Sequence, residues 1–311
     1  MNKTQTEMQK IHEPVMVGEV IKILEENALL NNQSKTILVD ATLGLGGHAR
    51  ELVRRNVFVV GFDKDKEFIE VAEKELEKAC PTQKSTSECF KLINDDFIHL
   101  KKRLDEIGIK KVDAVLFDLG INTLQLMSES RGFSFRNGDA LLDMRFDRDR
   151  QNVTAADVIN GLRKDQLMHM LLVTMEFREA NKIASKICTF RNRKSFKTVG
   201  DVLELVPSKA YSQIHPATKL FLALRIAVNS EIENLIQALE AAFDVLNIGG
   251  TLIVISFHSG EDAVVKKFFF DLKKANKASG NKKPILPSTE EVRQNNKARS
   301  AKLRYVIKTN E

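Results

Sequence analysis

The run Ile37-Leu38-Val39-Asp40-Ala41-Thr42-Leu43-Gly44-Leu45-Gly46-Gly47-His48 decides the fold. Ile37 to Val39 is a short apolar, β-branched stretch that reads as a strand ending at Asp40; the glycines then form a turn, and a helix begins at His48 and runs to Arg55. The same unit recurs downstream. Val57 to Phe62 ends at Asp63, and Lys66 to Ala79 carries Ile69, Ala72 and Leu76 at helical spacing. Phe90 to Ile93 leads into Asn94-Asp95-Asp96-Phe97, and Val112 to Phe117 leads into Asp118-Leu119-Gly120. Strands alternating with helices predict a parallel α/β sheet covered on both faces, whose ligands sit at the carboxyl ends of the strands. The glycine loop, Asp63, Asp96 and Asp118 all fall at such ends.

Beyond Asp118 the pattern becomes helical for about a hundred residues. Thr154-x-x-Asp157 and Thr198-x-x-Asp201 have the form of capping boxes, and Ala180, Ile183, Ala184 and Ile187 form an i, i+3, i+4, i+7 stripe. After His215-Pro216 the helical signal continues through Ile232, Leu235, Ile236, Leu239, Phe243 and Leu246 and stops at Gly249-Gly250, where the strand Thr251 to Phe257 begins. Leu303 to Ile307 is expected to be an antiparallel edge strand. The predicted organisation is a sheet domain in two parts, 1–123 and 219–311, with a helical insert over 124–218.

With 311 residues, 43% of them hydrophobic and 29% charged, the chain can bury a full core. No short repeat runs along it, and no apolar stretch approaches the roughly 20 residues a membrane helix needs. Met1 to Lys10 mixes both charge signs without an apolar segment, so a cytoplasmic protein is expected. Three cysteines, Cys80, Cys89 and Cys188, are odd in number and lack a Cys-x-x-Cys, which predicts reduced thiols. The six histidines contain no i,i+4 pair, and no metal is expected. Lys266 to Lys308 holds 13 Lys and Arg against three acids, whereas the remainder is slightly acidic. A basic tail of this kind suits a polyanion or a solvated surface equally.

A glycine loop after the first strand lets backbone N–H groups approach a ligand, and an acid about 20 residues on can accept both ribose hydroxyls. Asp63 stands 19 residues after Gly44. Gly44-x-Gly46-x-x-Ala49 also satisfies a dinucleotide pattern, so a nicotinamide oxidoreductase fits this much of the sequence. Asp95-Asp96-Phe97 offers an acid and a ring for an adenine, and a ligand without a pyrophosphate needs no basic clamp near the loop. S-adenosylmethionine suits that layout better.

The longer motifs are more specific. His12-Glu13-Pro14-Val15-Met16, the run Asp40 to His48, Asp118-Leu119-Gly120 with Gln125-Leu126, Arg131-Gly132-Phe133-Ser134-Phe135 and Leu142-Asp143-Met144-Arg145 follow one another in order. His215-Pro216-Ala217-Thr218, Ala223-Leu224-Arg225-Ile226, Val228-Asn229-Ser230-Glu231, Ser256-Phe257-His258-Ser259-x-Glu261-Asp262 and Ala298 to Arg304 continue the series. Together they resemble the bacterial ribosomal RNA small subunit methyltransferase H family from about His12 to Arg304.

The resemblance implies a Rossmann-like class I methyltransferase sheet with an inserted helical domain. It implies S-adenosylmethionine as cofactor, and as activity N4-methylation of a cytidine in the decoding region of 16S rRNA. The partner would be small-subunit rRNA or the assembling small ribosomal subunit. Cofactor positions fall on Gly46, Gly47, His48, Asp63, Phe97, Asp118 and Gln125, and Asp118 is also the candidate catalytic residue. Candidate phosphate contacts are Arg131, Arg136, Arg145 and Arg225, with Arg299, Lys302 and Arg304 of the tail. The chain departs from the family pattern at Asn122, Thr123 and Met127, at Phe177, at Leu222 and at Ala263, and at Met127, Phe177, Leu222 and Ala263 a polar group is lost. A catalytically weakened rRNA-binding protein of the same fold is the reading those losses suggest.

Overall fold

The computed structural model describes residues 14–30, 35–81, 84–121, 130–206 and 215–310. Seven strands form one sheet: β1 (Ile37–Asp40), β2 (Phe58–Asp63), β3 (Phe90–Asn94), β4 (Val112–Asp118), β5 (Leu246–Ser256), β6 (Ala278–Gly280) and β7 (Lys302–Lys308). Their order is β3-β2-β1-β4-β5-β7-β6. The first five are parallel, with Asp40 in register with Gly61 of β2 and Leu116 of β4, and β7 runs antiparallel to β5 and β6. The sheet has a doubly wound, Rossmann-like order with an antiparallel strand beside β5, as expected. The chain order reverses at β1 and β4, which places a ligand crevice at their carboxyl ends.

Alternation along the central strands builds both faces. Leu38, Ala114, Leu116, Ile253 and Ile255 pack on one side with the helices Val17–Glu26, Gly47–Val53 and Lys66–Ala79. Val39, Val115, Phe117, Leu252 and Val254 pack on the other with Leu100–Glu106, Glu231–Val245 and Ser259–Lys274. Successive side chains of a strand point to opposite faces, so burial on both produces the continuous apolar runs seen in the sequence. Burying a side chain such as Phe62 or Phe117, each 0% exposed, stabilises the sheet by about 1.5–3 kcal/mol.

Several boundaries differ from the sequence reading. The helix after Ser230 ends at Val245, and Leu246 already belongs to β5. Gly249, at φ +83°, and Gly250, whose Cβ would lie 2.9 Å from the Asn247 carbonyl oxygen, let that long strand bend where the irregular pairing with β4 occurs. Leu303–Ile307 is antiparallel but not an edge, because Ala278–Gly280 pairs along its outer side. Cys80 and Cys89 are joined by a disulfide, contrary to the expectation of free thiols. The chain reverses between the end of the helix Lys66–Ala79 and the start of β3, which brings their Cα atoms to 5.9 Å, a separation disulfides favour. Cys188 is the free cysteine among the described residues.

The chain divides into two compact units, one comprising Met1–Gly120 with Asn234–Glu311 and the other Ile121–Glu233. The second begins close to the predicted boundary but ends well beyond residue 218. Its core explains why: Leu220, Ala223 and Leu224 of the helix Thr218–Asn229 join Ala155, Ile159, Leu167, Leu171 and the stripe Ala180, Ile183, Ala184 and Ile187. Asn229 fastens that helix further, donating to the carbonyls of Met144 and Arg225 at 2.9 Å each and accepting from the Phe146 N–H at 2.9 Å. Both predicted capping boxes are formed, at Thr154 and at Thr198.

Candidate active site at the carboxyl ends of the strands

The loop after β1 is fixed by its neighbours before any ligand is considered. Thr42 donates its N–H to the Asp40 carboxylate at 3.2 Å, and its hydroxyl accepts the Asp118 N–H at 2.6 Å. Gly44 and Gly46 occupy left-handed backbone conformations, at φ +53° and +78°. A side chain at Gly47 would bring its Cβ to 2.9 Å from the Pro14 ring. The glycines are thus required by the turn and by the close approach of Pro14.

Asp63, at the end of β2, is locked in place by two backbone donors: Gly44 N–H to Oδ2 and Asp65 N–H to Oδ1, each at 2.9 Å. Each oxygen keeps a further lone pair for a ligand hydroxyl. Burial pushes this carboxyl up to about 6 against the two hydrogen bonds. After β3, Asp95 is buried, yet hydrogen bonds from His99, Arg103 and the Asp96 N–H outweigh its burial and hold it at about 2. Asp96 pairs with Lys64 at 2.7 Å and caps the turn of Phe97–His99. Phe97 packs edge-on against Phe117, with ring centroids 5.7 Å apart.

Asp118 ends β4 among charges. His48 Nδ1 lies 3.6 Å from its Oδ2, and its Oδ1 is buried with no hydrogen-bond partner among the described residues. Its carboxyl is raised well above the usual range, first by burial and then by Asp40 and Glu261, with Lys297 opposing. His48 is buried at the start of its helix and its Nε2 lies 2.9 Å from the Val15 carbonyl oxygen. Asp40, 1% exposed, is pushed up to about 7 by burial, with a contribution from Asp63. Glu261 accepts the N–H groups of Phe257 and His258 at 2.9 and 3.3 Å, securing the turn after β5.

Gly46, Gly47, His48, Asp63, Phe97 and Asp118 therefore lie on adjoining strand ends, whereas Gln125 lies outside the described residues. Sequence reasoning missed Asp40, Glu261 and Lys297. Asp40 ends a strand as Asp63 and Asp118 do, so the same rule could have found it; Lys297 reaches Asp118 through tertiary structure alone.

The MraW methylase family matches the chain over residues 9–309. The chain belongs to that family. Methyl transfer is accordingly its chemistry, and the nicotinamide reading of the glycine loop is set aside. It is 39% identical to a ribosomal RNA small subunit methyltransferase H of Dictyoglomus thermophilum, over 96% of this chain and 97% of that protein. It is 40% identical to the protein of the same name from a Hydrogenobaculum species, over 94% and 95%. Among solved structures, an rRNA methylase from Streptococcus thermophilus is similar at a TM-score of 0.44 and 13% identity, covering 93% of this chain and 96% of that one.

The basic residues divide sharply. Arg304, 7% exposed, donates to Asp262 at 2.7 and 3.3 Å. Arg225 forms a two-pronged pair with Glu231 at 2.8 Å on both prongs. Arg145 grips Asp143 at 2.7 and 3.0 Å and donates to the Gln151 carbonyl, while Arg131 donates to the carbonyls of Arg145 and Phe146. These four arginines, expected at phosphates, are committed to internal acceptors, which are brought to them by the fold and leave no local trace in sequence. Arg136 and Arg299 are exposed and form no ion pair among the described residues. Lys302 is half-buried and touches Asp262 at 3.3 Å. Among the described residues no helix is long and apolar enough to cross a membrane, and no group of three or more His, Cys, Asp or Glu could hold a metal ion.

Proposed function

We propose that the chain transfers a methyl group from S-adenosylmethionine to N4 of a cytidine in 16S rRNA, acting on the rRNA or on the assembling small subunit. The observation that carries this reading is the buried Oδ1 of Asp118, which has no partner among the described residues, at a strand end beside the glycine loop and the oriented carboxylate of Asp63. A buried oxygen without a donor is costly unless a ligand supplies one. Gly46 and Gly47 leave backbone open to a cofactor, Asp63 accepts ribose hydroxyls, Phe97 offers a ring to the adenine, and Gln125 completes the set that the family pattern assigns. S-adenosylmethionine supplies a methyl group activated by an adjacent sulfonium.

The chain's own residues then have one main task. The amine of cytosine is a poor nucleophile because its lone pair is delocalised into the ring, so positioning must do most of the work. Asp118 Oδ1 accepts an N4–H bond, aligns the amine and stabilises the positive charge that grows on nitrogen. A base-paired N4 cannot reach such a site, so the cytidine must be unstacked and unpaired. The helical unit and the tail supply the RNA grip, through the exposed Arg136 and Arg299 and through Lys302, whose ammonium also touches Asp262.

The test is nucleoside mass spectrometry of rRNA from small subunits lacking the modification, before and after incubation with the purified protein and S-adenosylmethionine. The expected product is one N4-methylcytidine per subunit. A methyl group on another atom would overturn the N4 assignment, and rRNA binding without transfer would favour the weakened rRNA-binding reading.

A further inference from the structure

Lys64 follows Asp63 directly and its side chain crosses to the neighbouring strand end. The ammonium lies 2.7 Å from Asp96 Oδ2 and stands over the Phe97 ring, 5.6 Å from its centroid. The two paired side chains are largely withdrawn from water, at 21% and 16% exposed. The other oxygen of Asp96 is engaged within its own turn, where Oδ1 accepts the Ile98 N–H at 3.1 Å. The acid and the ring expected to take an adenine's edge and face are thus the two groups that Lys64 holds. The backbone beneath the lysine is fixed. Asn94, at the end of β3, donates its side-chain amide to the carbonyls of Asp63 and Lys64 at 3.0 Å each. The Asp63 carboxylate is held in turn by the Gly44 and Asp65 N–H groups. Lys64 can therefore leave by rotating its own flexible four-carbon chain, while Asp63 keeps its aim at the ribose.

We propose that Lys64 competes with the cofactor's adenine for Asp96 and Phe97, the adenine amine replacing the ammonium at the carboxylate and the adenine ring replacing it over the phenyl ring. The inference rests on the function proposed above and deepens it at the adenine end of the site. A carboxylate withdrawn from water needs a donor, which either the ammonium or the amine supplies. An aromatic face attracts a cation and also stacks on a base. The exchange keeps the acid and the ring partnered throughout, and it lowers affinity by what the lysine contacts contribute. Donor and product carry the same adenine, so Lys64 weakens both alike, and its return to Asp96 favours release of the product.

The experiment is calorimetric titration of the full chain and of Lys64→Ala with S-adenosylmethionine, S-adenosylhomocysteine and 5′-methylthioadenosine. These three share adenine and ribose but differ at sulfur and in charge. The expected result is tighter binding of all three by the variant, by one common factor of roughly three to ten, the combined worth of an ion pair and a cation–ring contact at partly exposed sites. Lys64→Arg keeps a cation at the acid and the ring and should show no such gain. In an Asp96→Asn background, where the ion pair is already gone, the further change Lys64→Ala should gain less. A gain confined to S-adenosylmethionine would overturn the proposal, because the lysine would then merely repel the sulfonium from a distance. Unchanged or weaker binding in Lys64→Ala would overturn it too, since the lysine would then support the seat or stand apart from it. Phe97→Ala should bind all three ligands less tightly, and unchanged affinity there would overturn the proposal by placing the adenine elsewhere. Binding of none of the three by the wild type would overturn the functional reading instead.

Discussion

Replacing Asp40 by asparagine should stabilise the ligand-free protein at alkaline pH and leave it nearly unchanged at acid pH. Asp40 is 1% exposed, and its carboxyl is pushed from an ordinary 3.8 up to about 7, by burial first and by Asp63 as well. A folded-state value above the unfolded one means that the folded protein holds the proton more tightly. The corresponding stability is fully present below pH 3.8 and is lost as pH rises through 7. Between pH 5 and 8 the unfolded chain is already ionised, and about two units of folded-state deprotonation remain, each worth roughly 1.4 kcal/mol, for a loss of about 3 kcal/mol. Asparagine has the same shape, keeps an oxygen to accept the Thr42 N–H and never ionises. Urea unfolding of both proteins at pH 5, 6, 7 and 8 should therefore give a stability difference that grows by about 3 kcal/mol in favour of the variant. Asp63 and Asp118 are also raised, and because the Asp40 charge helps raise Asp118, its removal relieves Asp118 as well and moves the difference further in the variant's favour. Parallel stability curves for wild type and variant would refute the burial argument.

Asp118→Asn should lower single-turnover methyl transfer at saturating cofactor far more than it lowers cofactor affinity, because it removes the charge that aligns the amine; a normal rate would end the catalytic assignment. Asp63→Ala should weaken cofactor binding by about 1–3 kcal/mol through loss of charge-assisted hydrogen bonds, and unchanged affinity by calorimetry would remove Asp63 from the site. Arg304→Ala should destabilise the fold by about 3 kcal/mol, since it strands Asp262 with only Lys302 beside it. Arg136→Glu with Arg299→Glu should leave the melting temperature alone while weakening rRNA binding and flattening its salt dependence, and an unaltered salt slope would make both residues mere surface.

The sequence by itself determined the alternation of strand and helix, the glycine turn, the acids that end β2 and β4, and both capping boxes of the helical unit. These features rest on interactions between residues a few positions apart, where period, turn chemistry and cap geometry leave a local imprint. The limits of the helical unit were less legible, because Thr218–Asn229 is amphipathic in the same way whichever core it joins. Only the tertiary structure decided which arginines face solvent. Arg304 meets Asp262 and Arg225 meets Glu231 because the chain folds them together, and a basic residue reads identically in sequence whether its partner is a carboxylate or a phosphate. The same holds for the charged corner of the site around Asp118. Burial of Asp40, approach of Lys297 to Asp118 and the fixing of His48 by the Val15 carbonyl depend on distances between remote segments, and charge regulation in a buried site is set by those distances and not by the residue types alone.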